Sequence, residues 1–191
     1  MKLKFQLLRN NSQMVSTGNF QSENFRTRVL IMSSSVDHSV FIKQIFDFHG
    51  KSVDWSGAGS HSAKSDFTVL QTSDVTEAVH FKPTIVLISS EIADTDSAPV
   101  FSHITPGGVL VYPQSLEAVV EQANVYFRKL PYSPTDLNEK GGTQYLNTDM
   151  GDLPVSGIEA RVLADLDGIK LFCAQFGIME EQFYEALAEL V

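Results

Sequence analysis

TRVLIMSSSVDHSV, residues 27–40, decides the reading of this chain. Residues 28–32 form a short apolar, β-branched run, and over residues 37–50 the apolar positions recur with helical spacing. Ser33, Ser34 and Ser35 connect the two. A strand that turns tightly into a helix is where α/β proteins hold phosphates, because the helix start offers unpaired N–H groups and the positive end of a dipole. The position fits that role and the residues do not. A phosphate-cradling loop uses glycines for close backbone approach and a lysine for the outer phosphates. This loop has no glycine, carries Asp37, and has His38 where a lysine would help.

Outward from this stretch, apolar strands alternate with amphipathic helices. Strands are expected at 29–32, 67–71, 84–89 and 109–112, with a short one within 51–55. The first helix, 37–49, is expected to turn Val40, Phe41, Ile45 and Phe48 inward, with Asp37 as its N-cap and Gly50 as its stop. A short helix or turn follows at 76–81. Ser115 is read as the cap of a helix to residue 130, with Leu116, Val119, Val120, Ala123, Phe127 and Leu130 inward. Residues 57–65, 91–106 and 131–142 read as loops, and 143–146 with 153–156 as a hairpin around Asp149-Met150-Gly151. Two helices close the chain. One, 159–176, buries Leu163, Leu166, Ile169 and Phe172 or Cys173, and breaks at Gly177. The other, 180–190, buries Phe183, Leu187 and Leu190. The pattern predicts a three-layer α/β fold, a mostly parallel sheet with helices on both faces, over residues 27–191. Residues 1–26 read as an N-terminal hairpin and a polar connection.

Composition narrows the function classes. Fourteen basic against twenty-three acidic residues give a formal charge of −9, which argues against a nucleic-acid partner or an anionic membrane surface. Cys173 is the single cysteine, so no intrachain disulfide forms and a reducing, cytoplasmic setting is expected. The apolar segment in MKLKFQLLRNN falls short of the roughly 7–15 residues of a secretory signal. No run reaches the roughly 18 apolar residues of a membrane span. The five histidines, His38, His49, His61, His80 and His103, lack ligand spacing and read as ordinary imidazoles. The serine run has no G-x-S-x-G elbow to make a nucleophile. Cys173 reads as a packed thiol, and Trp55 as packing at a strand end.

With the elements in this order, the chain resembles the central, ATP-binding domain of the Mur ligases. The likeness is nearest to the branch that joins a murein tripeptide to UDP-N-acetylmuramate. TRVLIMSSSVDHSV stands where the family has a strand followed by G-T-H-G-K-[ST]. KPTIVLISSEIADTD stands for its Lys-Pro, strand and Asp-His segment, and PGGVLVYPQ for its Pro-Gly-Gly strand. LADLDGIKLFCAQFGIMEEQFYEAL resembles the helix that holds adenine and the helix after it. The resemblance implies a P-loop-like topology. It places a vestigial nucleotide site at Ser34, Ser35, Asp37, His38 and Ser39, and a vestigial metal set at Ser39, Asp74 and Asp94. The departures fall on the chemistry. The family's glycines are Ser34 and Asp37, its lysine is His38, its acidic cluster is Gln71, Ser73 and Asp74, and the histidine after Asp94 is Thr95. The expected protein is therefore non-catalytic, with a scaffold, interaction or regulatory role linked by resemblance to peptidoglycan precursors. No cofactor is expected, and a protein partner or self-association is. The alternative is a nucleotide- or UDP-sugar-binding relative with a remodelled loop, which would require ATP and magnesium.

Overall fold

The structure, a computed structural model, describes residues 26–56, 65–149 and 151–190. The expected N-terminal hairpin and most of the 57–65 loop lie outside those residues. Six parallel strands form the main sheet in the order β2-β3-β1-β4-β5-β6. They are β1 (Thr27–Met32), β2 (Asp54–Trp55), β3 (Phe67–Thr72), β4 (Ile85–Ile88), β5 (Val109–Pro113) and β6 (Arg128–Tyr132). Alternate residues of β1 serve opposite faces, as a strand covered on both sides must. Val29 and Ile31 join one core with Phe41, Ile45, Phe172 and Phe183; Leu30 and Met32 join the other with Phe81, Phe101 and Leu116.

Helices α1 (Asp37–Phe48), α5 (Ala160–Ala164), α6 (Leu166–Ala174) and α7 (Glu180–Leu190) cover the first face. Helices α2 (Val75–Phe81), α3 (Asp94–Phe101) and α4 (Glu117–Val120) cover the second. A separate antiparallel sheet, β7 (Leu137–Lys140), β8 (Thr143–Thr148) and β9 (Gly151–Pro154), joins the first core through Leu146. Gly50, at φ +61°, ends α1 as expected, and Gly177, at φ +74°, separates α6 from α7. Gly168 permits a close approach inside α6. A Cβ there would lie 2.6–2.8 Å from ring carbons of Tyr132.

Several expectations need correction. The buried stripe of α1 is His38, Phe41, Ile42, Ile45 and Phe46, whereas Val40 and Phe48 are 52% and 44% exposed. The wheel is rotated because a polar residue, His38, belongs to the inward face. Asp37 does not cap α1: the N-cap position is Val36, which makes no side-chain cap bond. Residues 91–106 contain α3, with Pro99 inside it. Burial of Val100 and Phe101 outweighs the weak local pattern. The helix expected over 115–130 stops at Val120, preceded by a 3₁₀ turn at Gln114–Leu116, so Ser115 is internal and not a cap. Its expected end is instead β6, an edge strand whose mostly exposed R-K-L-P-Y carries no apolar alternation. Edge position is also what tolerates Pro131. The expected hairpin gains a third strand, β7, from residues read as loop. Leu190 is only partly buried, and Tyr184 takes a core place instead.

Phe172 and Phe183 are fully buried, as their helical spacing predicts. Truncating either to alanine should cost about 3–5 kcal/mol, measured as the loss of unfolding free energy in denaturant. A cost under about 1 kcal/mol would mean that these faces do not pack as described.

Candidate functional site

The strand order places β1 between β3 and β4, and the chain leaves β1 toward one edge before returning to build the other. Open α/β sheets bind ligands at such a point, beyond the C-terminal ends of the strands. The β1–α1 loop lies there. Its hydrogen bonds run inward. The Ser33 hydroxyl donates to Glu91 Oε1 at 2.8 Å, and the Ser34 N–H donates to the same oxygen at 2.8 Å. Ser35 N–H donates to Ser33 Oγ at 3.1 Å, and the side-chain amide of Gln71 donates to the Ser35 carbonyl. The Ser35 hydroxyl donates to Asp37 Oδ2 at 2.5 Å and accepts from the Asp37 N–H at 3.2 Å. The Ser39 hydroxyl donates to the Val36 carbonyl at 2.9 Å.

His38 is fully buried and faces away from any incoming ligand. Its Nδ1 lies 2.9 Å from Ser33 Oγ and its Nε2 lies 2.9 Å from Asp165 Oδ2. Asp165, also fully buried, accepts from the Tyr132 hydroxyl at 2.9 Å and from the Ser90 N–H at 3.0 Å. The Tyr132 hydroxyl also lies 2.8 Å from the Ile88 carbonyl. Burial alone would raise the Asp165 pKa, but hydrogen bonds from His38, Ser89 and Ser90 bring it below the ordinary 3.8. Glu91 follows the same pattern. Burial raises its pKa, and Ser33, Ser34 and the nearby His38 lower it more. Burial, then the Asp165 charge, pushes the Tyr132 hydroxyl well up.

Ser33, His38 and Asp165 are the residue types of a nucleophile triad. Their surroundings oppose that use. Ser33 is 2% exposed, and its oxygen already has Glu91, His38 and the Ser35 backbone within hydrogen-bond distance. Although Ser33 borders a cleft beside the loop, its oxygen is already engaged on several sides, which leaves little room for an acyl carbon to approach.

The structure thus brings Ser34, Ser35, Asp37, His38 and Ser39 to one loop and first turn. The members of the expected metal set lie on three different elements, Ser39 in α1, Asp74 before α2 and Asp94 in α3. Asp74 caps α2, accepting from Thr76 and Glu77 N–H at 2.7 and 3.2 Å, and Asp94 opens α3. Among the described residues no group of three acidic, histidine or cysteine side chains is placed to hold a metal. Beside the loop lies a cleft of about 550 Å³, lined in part by Ser34, Ser39, Lys43, Trp55 and Gln71. Cys173 is buried, which pushes its thiol up and fits the packed role expected for it.

Glu91, Tyr132 and Asp165 did not stand out in the sequence. They lie 58, 99 and 132 residues beyond Ser33, and only the strand order and the docking of α6 bring them to the loop. One signal was available: Glu91 follows the strand that the fold pairs with β1.

The six-stranded parallel sheet with helices on both faces resembles the central domain of the Mur ligases. No family model matches the chain, and no curated protein shows significant similarity in sequence. Solved structures are similar in fold. A MurF from Acinetobacter baumannii aligns with a TM-score of 0.64 at 10% identity, over 88% of this chain and 47% of that one. UDP-N-acetylmuramate:L-alanyl-gamma-D-glutamyl-meso-diaminopimelate ligase from Neisseria meningitides aligns at 0.59 and 11%, over 89% and 67%. MurF ligase from Thermotoga maritima, solved in complex with ADP, aligns at 0.54 and 12%, over 80% and 46%. The chain therefore spans about half the length of the MurF structures it matches. Among the described residues, no helix is long and apolar enough to cross a membrane.

The lowered pKa values of Asp165 and Glu91 give a pH dependence. A folded pKa below the unfolded one contributes stability at pH values above the unfolded pKa, and the contribution is lost as pH falls through the folded value. Stability should therefore be flat at neutral pH and decline below the ordinary values of 3.8 and 4.5. Asp165→Asn should cost about 1.5–3 kcal/mol at neutral pH, because it removes the buried carboxylate that accepts from the Tyr132 hydroxyl and the Ser90 N–H. It should also make the acid limb shallower. Parallel acid limbs in melts of the two proteins would show that Asp165 is not the group responsible.

Proposed function

We propose that this chain is a Mur-ligase-like domain without ligase chemistry, acting as a scaffold, interaction or regulatory module connected to peptidoglycan precursor metabolism. One observation carries the reading: the loop groups that would face a phosphate are engaged within the protein. The Ser34 N–H is bonded to Glu91, and His38, at the position of the family's lysine, is bonded to Asp165 in the interior. A carboxylate already occupies the place of an incoming anion and would repel one. Without the lysine, a charge-assisted contact worth about 1.5–3 kcal/mol is lost. The Cβ atoms of Ser34 and Asp37 occupy positions where glycine would allow close approach. These effects act together against a micromolar complex, whose whole free energy is about 8 kcal/mol. The proposed link to that pathway draws its support from the likeness in fold to the Mur ligases.

A second reading, a nucleotide- or UDP-sugar-binding relative with a remodelled loop, draws on the cleft beside Ser34 and Ser39, which holds Lys43 and Trp55. Calorimetry separates the two. Millimolar magnesium-ATP should give no saturable heat and no shift in melting temperature. A micromolar dissociation constant that disappears in Ser39→Ala would replace the first reading with the second.

A further inference from the structure

We propose that the groove between β9 and α7 docks an extended, basic and partly apolar peptide segment of another protein. The inference rests on the interaction role proposed above and names the surface that would perform it. The groove encloses about 480 Å³ and lies far in sequence from the β1–α1 loop. Its apolar wall includes Leu153, the Tyr184 ring and Ala188. That ring is held in place, because its hydroxyl is bonded to Lys170 at 2.9 Å and Glu180 at 3.0 Å. An adjoining cleft shares Glu181, Gln182 and Tyr184 and extends the groove to Met179, which is 62% exposed.

Charge selects the occupant. Lys140 and Lys170, the lysines beside the groove, are already engaged, the first with Asp152 and the second with Glu180 and Asp167. Among the described residues Glu181 and Glu185 have no cationic partner, although they lie one turn apart on α7. Like charges at that spacing destabilise a helix, and an incoming cation relieves the repulsion. The carboxylates are not grouped to hold a metal ion, so the fitting cations are separate ones, such as lysine or arginine side chains on one segment. The backbone supplies the extended geometry. β9 is the outer strand of its sheet, and its second edge has no strand partner among the described residues. An extended segment laid along such an edge bonds to the backbone and alternates its side chains. Its basic side chains would meet Glu181 and Glu185 and its apolar ones the Tyr184 wall.

The probe is a short fluorescein-labelled peptide alternating lysine and leucine, with a glutamate-for-lysine version as control, followed by anisotropy. The lysine peptide should bind saturably, more weakly as salt rises, and the glutamate peptide should not bind. Glu181→Gln/Glu185→Gln should weaken binding about tenfold or more. Glu77→Gln/Asp96→Asn removes the same charge from helices of the opposite layer and should change binding less than about twofold. Circular dichroism checks that both variants keep their helix content. Equal weakening by the two variants would reduce the effect to net charge and overturn the proposal, as would absence of binding. Tighter binding of the chain's own residues 2–9, KLKFQLLR, would also overturn it, by replacing the external partner. Magnesium-ATP titrated separately keeps the two readings apart. ATP binding with peptide binding intact sinks the non-catalytic reading alone, and loss of peptide binding without ATP binding sinks the groove alone.

Discussion

The contact between His38 and Asp165 is the constraint on which this structure depends. It joins residues 127 positions apart, both without solvent exposure, at 2.9 Å. Neither can be left unpaired, since a buried polar or charged group without a partner costs several times what an ordinary hydrogen bond contributes. The first turn of α1 is therefore bound to the junction of α5 and α6. Tyr132 extends the tie to β6 and to the end of β4. Three groups, His38 of α1, Tyr132 of β6 and the Ser90 N–H after β4, converge on one carboxylate, and the β1–α1 loop is held by the same set.

That tie explains which way the loop faces. Ser33 completes the polar shell of His38, and Glu91 completes that of Ser33. The outer side of the α1 start presents Val36 and Val40, both exposed, together with Ser34. Ser33, Ser35 and His38 are committed to the interior while two apolar side chains face solvent, an arrangement poorly suited to holding a charged ligand. The cleft beside it inherits that mixed character.

How much was legible follows from where each signal was stored. The central strands were readable because both faces are covered, so TRVLIM and TIVLIS are apolar at every position that matters. The edge strand β6 was not, because an edge with one exposed face and a proline looks like a loop. α3 was obscured by Pro99, and its helix depends on burial of Val100 and Phe101 against elements distant in sequence. The position of the candidate site was visible in the strand-to-helix turn. Its internal chemistry was not, because a lone histidine on a helix gives no hint that an aspartate far along the chain will meet it. With His38 left out of the expected inward face of α1, that face took in Val40 and Phe48 in place of Ile42 and Phe46.

The glycine in α6 carries a consequence for how the sequence can vary. Gly168 lies against the Tyr132 ring so closely that any side chain there would overlap it. In the middle of a helix a glycine is less favourable than alanine by about 1 kcal/mol, and here that is offset by letting the ring reach Asp165. Positions 132 and 168 are thus a lock and its clearance: a larger residue at 168 becomes tolerable only after the ring at 132 has gone, and losing the ring removes a hydrogen bond from the buried carboxylate. Drift at these two positions should be correlated, with the tyrosine and the glycine kept or abandoned together.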